Sequence, residues 1–116
     1  MAIMLRPGQA LRLWQTVTLS EVRDAAPDLS QRQMAILLTV YLDPPPHTVR
    51  GLAASLKVTK PVITRALDTM GAMKLVARRR DADNRRNVLV RRTVEGALYV
   101  ERLGDAIIAG ALELPY

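Results

Sequence analysis

Apolar residues recur at helical spacing along most of the chain, with one proline-rich break and one stretch where the period falls to two. Pro7-Gly8 breaks the start, and QALRLWQTVTLSEVRDAA then predicts a first helix ending at Pro27. Leu11, Trp14, Val17 and Val22 give it a partial apolar stripe, while the β-branched run Thr16-Val17-Thr18 lowers its intrinsic propensity. Ser30-Gln31-Arg32-Gln33 has the form of a capping box. The helix it opens, QRQMAILLTVYL, is apolar around most of its circumference after Arg32, so it is expected at the centre of the core. Asp43-Pro44-Pro45-Pro46 stops it, because successive prolines supply no helix donors.

Two short amphipathic helices follow. Thr48 can cap VRGLAASL, in which Val49, Leu52, Ala53 and Leu56 fall at i, i+3, i+4 and i+7. Only Lys57 and Val58 separate that helix from Thr59, the next N-cap, and from a helix opening Lys60-Pro61. In this second helix Ile63, Ala66, Leu67 and Met70 form the core face, and Lys60, Thr64, Arg65 and Asp68 the solvent side. A tight turn between two such helices is a helix-turn-helix. The chain then alternates through Leu75–Arg79 and Asn87–Arg91 around the turn-rich Asp81-Ala82-Asp83-Asn84-Arg85-Arg86, which predicts a β-hairpin. A final helix from about Val94 to Leu112 carries Leu98, Val100, Leu103, Ile107, Ile108, Ala111 and Leu112. The expected fold is mainly α: a winged helix-turn-helix over 29–92, with a two-stranded β wing and flanking helical segments at 1–28 and 93–116.

Composition narrows the chemistry. The chain of 116 residues has the size of one domain, and without phenylalanine its core must be aliphatic, with the five Met as fillers. No cysteine is present, which removes disulfides, thiolate metal sites and thiol nucleophiles. The one histidine, His47, lies in the proline-rich loop and leaves too few nitrogen ligands for a zinc site. Neither a cofactor, a metal nor an enzymatic activity is expected. No apolar run is long enough to span a bilayer, and no signal sequence precedes the first helix, so a cytoplasmic protein is expected.

Charge is unevenly placed. Residues 1–43 carry four basic and four acidic side chains, 44–92 carry twelve basic and three acidic, and 93–116 carry one basic and four acidic. The stretch RRRDADNRRN, residues 78–87, holds five of the arginines. A basic centre between neutral and acidic ends points to one specialised surface for a polyanion.

The motifs resemble those of the MarR family of winged-helix transcription regulators. The helix-turn-helix pattern is LAASLKVTKPVITR (52–65), the strand entry LVARRRD (75–81), and the wing with its exit DADNRRNVLVRRTVEG (81–96). Three positions depart from the family pattern. Lys57 and Lys74 stand where the family carries glycine, and Asn84 stands at its wing acid. The resemblance implies a homodimeric regulator, commonly a repressor, with a small-molecule effector pocket between the dimer helices and the winged helix.

On that reading Thr59, Lys60, Pro61, Thr64 and Arg65 enter the major groove of double-stranded DNA, with Thr48 also at the interface. Lys60 and Arg65 can donate to guanine, Arg65 to a base or a phosphate, and Pro61 can touch a thymine methyl. The wing residues Arg78, Arg80, Arg85 and Arg86 approach the minor groove, with Asp81, Asp83 and Asn84 bracing the turn. Strand alternation keeps Arg78, Arg79 and Arg80 from all facing DNA together, so some of these arginines serve the structure. Leu11, Trp14, Val100, Leu103, Ile107, Ile108 and Leu112 are the candidate dimer contacts, and two-fold symmetry implies a pseudo-palindromic site. The alternative is a winged helix serving as a protein-interaction module or as a nonspecific architectural DNA binder.

Overall fold

A computed structural model describes residues 3–24 and 27–115. Along these run α1 (Pro7–Arg23), α2 (Gln31–Leu42), β1 (His47–Thr48), α3 (Val49–Leu56), α4 (Lys60–Ala72), β2 (Val76–Arg80), β3 (Val88–Arg92) and α5 (Val94–Leu112). None of the described helices is long and apolar enough to cross a membrane. The chain forms two compact units, one of residues 29–100 and the other of the segments before Leu29 and after Val100.

In the first unit, local chemistry sets the element ends. Ser30 Oγ accepts from the Gln33 amide at 3.1 Å and Gln33 Oε1 accepts from the Ser30 amide at 2.9 Å, the reciprocal capping box of α2. Thr48 Oγ1 caps α3 by accepting from Gly51 N at 2.9 Å. Ile36, Leu37 and Val40 of α2 are buried together with Leu52, Ala53, Ile63, Ala66, Leu67 and Met70 of the helix-turn-helix. Leu75, Val76, Val90 and Tyr99 are buried too. Each fully buried aliphatic side chain stabilises the fold by roughly 1.5–3 kcal/mol over its exposed state.

The wing hairpin pairs β2 with β3 from Val76↔Arg92 to Arg80↔Val88. A third strand joins it: β1 pairs with β3 through His47↔Val90 and Thr48↔Leu89, giving the order β1-β3-β2. The sheet thus has one strand more than the hairpin the alternation predicts. Two residues are too few to alternate visibly, and they run extended between the prolines and the α3 cap.

Both family-glycine positions held by lysine have left-handed backbone. Lys57, the C-cap of α3, has φ 58° and ψ 44°, and Lys74 has φ 63° after α4. A Cβ in this region is strained by roughly 1–2 kcal/mol. Lys74→Gly is therefore expected to stabilise the protein by on the order of 1 kcal/mol, after allowing for the greater freedom of glycine in the unfolded chain. A urea midpoint that stays put or falls would show that Lys74 bears no such strain.

The second unit contains α1 and the far part of α5. The first helix begins at Pro7 and not beyond Gly8 as the sequence suggests, because a proline in the first turn loses no helical bond. It stops at Arg23; Ala25 and Ala26, where the expected helix ends, lie outside the described residues. Gly110 lets α5 approach α1 closely, since a Cβ there would lie 3.0 Å from Leu13 Cδ1. Gln9 Nε2 donates to the Pro115 carbonyl at 2.9 Å. Val17 and Leu103 are buried, and Leu11 (70%), Trp14 (57%), Ile107 (39%), Ile108 (60%) and Leu112 (82%) are exposed; Val100, the last residue of the first unit, is half-buried.

Candidate nucleic-acid interface

The outward surface of the first unit combines α4 with the wing. With Ile63, Ala66, Leu67 and Met70 turned into the core, the helical period leaves Lys60, Pro61, Thr64 and Asp68 together on the outer face. All four are exposed. Thr59 sits at the N-cap, but its side chain makes no capping bond. The Thr64 hydroxyl does not bond back to its helix either: among the described residues it has no hydrogen-bond partner. Both hydroxyls are left open to a ligand, whereas the Thr48 hydroxyl is engaged in capping α3. Arg65 is exposed too, beside Pro61 and Asp68 at the edge of this face, and with Val62, Ala66 and Thr69 it borders a notch against the start of α2.

The wing arginines divide by role. Arg78 Nη2 meets Asp68 Oδ1 at 2.6 Å and ties β2 to α4. Both groups are partly exposed, so the pair contributes at most about 1 kcal/mol; its effect is to fix the angle between the two elements. Arg80 Nη1 donates to the Arg85 carbonyl at 2.7 Å, across the hairpin. These two expected DNA contacts are therefore engaged within the protein. Arg79 and Arg91 are exposed on the two strands.

The tip is held almost wholly by backbone and by two short side chains. Asp81 N donates to Asn87 O at 3.1 Å, and Asn87 N donates to Asn84 O at 2.9 Å. Asp81 Oδ1 accepts from Asp83 N at 2.9 Å, and Asn84 Oδ1 accepts from Arg86 N at 3.1 Å. Each is a side chain closing onto the amide two residues on, the turn that Asp and Asn favour. Asp83 enters through its amide; its carboxylate makes no bond among the described residues. Asn84 orders the turn by this local bond without an ion pair to arginine. The guanidinium groups of Arg85 and Arg86 are exposed and have no partner among the described residues.

One arginine plays a role that no local pattern marks. Arg92 Nε donates to Val40 O at 2.8 Å and its Nη2 to Asp43 O at 3.0 Å, satisfying carbonyls at the end of α2. Its guanidinium also lies over the Tyr41 ring, 5.9 Å from the centroid. The Tyr41 hydroxyl in turn donates to Leu75 O at 2.8 Å and accepts from Thr93 N at 2.9 Å. Thr93 Oγ1 donates to Lys74 O at 2.7 Å and accepts from Gly96 N at 2.9 Å. This network joins α2, the end of the wing and the start of α5. Among the described residues no group of three or more His, Asp or Glu is placed to hold a metal ion.

The model of the MarR family matches residues 29–88. No curated protein sequence matches the chain significantly. Solved structures with this fold include the transcriptional regulator BldR from Sulfolobus solfataricus, 25% identical, with a TM-score of 0.62 over 91% of this chain and 81% of that one. The PcaV transcriptional regulator from Streptomyces coelicolor is 25% identical, with a TM-score of 0.65 over 91% and 78%. The S. aureus MepR–DNA complex is 19% identical, with a TM-score of 0.66 over 88% and 75%, and shows the shared fold.

Proposed function

The chain belongs to the MarR family, and from that premise we propose that it is a homodimeric transcription regulator, most simply a repressor, that binds a pseudo-palindromic site in double-stranded DNA. The carrying observation is the set of unpartnered groups on α4 and the wing it is tied to: Lys60 and the Thr59 and Thr64 hydroxyls on α4, and Arg85 and Arg86 at the wing tip. α4 enters the major groove, where Lys60 donates to guanine O6 or N7 and Pro61 meets a thymine methyl. The wing tip reaches the neighbouring minor groove, whose negative potential favours arginine. The occurrence of a MepR structure bound to DNA supports this reading.

The second unit supports dimerisation. Leu11 and Trp14 on α1, with Ile107, Ile108 and Leu112 on α5, leave large apolar side chains in water, and a second copy would cover them. Two copies related by two-fold symmetry present two α4 helices to half-sites about one helical turn apart.

Lys60 carries the test of base readout. Lys60→Ala is expected to weaken binding to a selected duplex roughly tenfold more than binding to a scrambled one, the effect of losing one base contact. Anisotropy titrations of both duplexes read the difference directly. Equal loss on the two would remove Lys60 from sequence readout and leave it a phosphate contact.

A further inference from the structure

A notch of about 210 Å³ lies between the start of α2 and the flank of α4, lined by Ser30, Arg32, Gln33, Val62, Arg65, Ala66 and Thr69. The polar groups around it are mostly engaged. Ser30 and Gln33 bond to each other, and the Thr69 hydroxyl donates to Arg65 O at 3.3 Å. The two guanidinium groups are the exception: Arg32 and Arg65 are exposed and have no partner among the described residues. No acidic residue lines the notch. Both side chains line one opening, and an anion bound there would be drawn to the guanidinium groups.

We infer that Arg32 and Arg65 together hold one backbone phosphate of the DNA, so that α2 joins α4 and the wing as a third contacting element. The inference rests on the DNA-binding reading and refines it. Val62, Arg65, Ala66 and Thr69 stand at i, i+3, i+4 and i+7 on the flank of α4, while Lys60, Pro61 and Thr64 stand on its outer face. Arg65 stands beside Pro61 and Asp68 at the edge of the outer face that borders the notch, and the inference assigns it to the backbone while Lys60, Pro61 and Thr64 read the sequence. A guanidinium presents its donors in a planar fork suited to phosphate oxygens, and two of them fix the register of the helix on the duplex. Arg32 lies outside the basic segment 44–92, so charge clustering along the sequence does not single it out.

The test titrates the full chain against a labelled duplex pool of random sequence between ~50 and ~200 mM salt, and selects a binding motif with each variant. Arg32→Ala and Arg65→Ala are each expected to weaken binding roughly fivefold at ~150 mM salt, the scale of one phosphate contact. The double variant should lose less than the product of the two, because both arginines act on one group. Its salt slope should be shallower than that of the unaltered protein by about 0.9. The motif selected by Arg65→Ala should be unchanged, and Arg32→Lys should retain much of the affinity. Neither arginine bonds another side chain, so thermal melting should find all variants folded. An Arg32→Ala protein that titrates like the unaltered one overturns the inference, as does a different motif selected by Arg65→Ala. If the unaltered protein binds no duplex, the DNA-binding reading falls together with this one.

Discussion

Gly96→Ala is expected to cost about 3 kcal/mol of folding free energy, the upper end of what overpacking does in a closed interior. A Cβ at this buried glycine would overlap both the Tyr41 hydroxyl and the Leu75 backbone carbonyl. Neither neighbour can yield cheaply. The Tyr41 hydroxyl is fixed between Leu75 O and Thr93 N, and the carbonyl belongs to the segment that leads from α4 into β2. Moving the start of α5 away would instead break the Gly96 N to Thr93 Oγ1 bond that caps it. Urea unfolding followed by circular dichroism measures the loss. A cost below about 1 kcal/mol would mean the α5 entry is loosely held and the network around Tyr41 contributes little.

The second large effect concerns the wing. Replacing both Arg85 and Arg86 by alanine is expected to weaken DNA binding roughly thirtyfold at ~150 mM salt and to lower the salt slope by about 1.8, the loss of two cation–phosphate contacts. The variant is a clean one because the tip uses these residues only through their backbones. Arg80 bonds the Arg85 carbonyl and Asn84 bonds the Arg86 amide, and alanine retains both groups. Affinity measured across a salt series tests this. A double variant with the original slope would mean that the wing arginines lie clear of the DNA.

The same division between local and distant interactions explains how much of the molecule could be read from its residues. The Ser30 box, the Thr48 cap, the proline stop and the core faces of α3 and α4 depend on spacings of three or four residues, and each stands where the periodicity puts it. The left-handed backbones of Lys57 and Lys74 were legible only through the resemblance, which puts glycine at both positions, since α1 and α2 end on extended residues instead. The Arg92 bond to Val40 spans 52 positions, and no local pattern distinguishes Arg92 from Arg91 beside it. Likewise, Arg78 and Arg80 resemble the free arginines in the sequence. Only the hairpin register and the position of α4 show that Asp68 and the Arg85 carbonyl engage them. The basic wing thus divides its arginines: Arg78 ties β2 to α4, Arg80 spans the hairpin, and Arg85 and Arg86 extend from its tip.

Retention of a random-sequence duplex library by the purified protein at ~150 mM salt, where nonspecific electrostatic binding weakens, is the most direct test of the account. It predicts that sequencing the retained duplexes recovers one motif with two inverted half-sites about one helical turn apart. Retention without a motif would contradict sequence-specific regulation and indicate an architectural binder. No retention by the folded protein would mean that α4 and the wing grip something other than DNA.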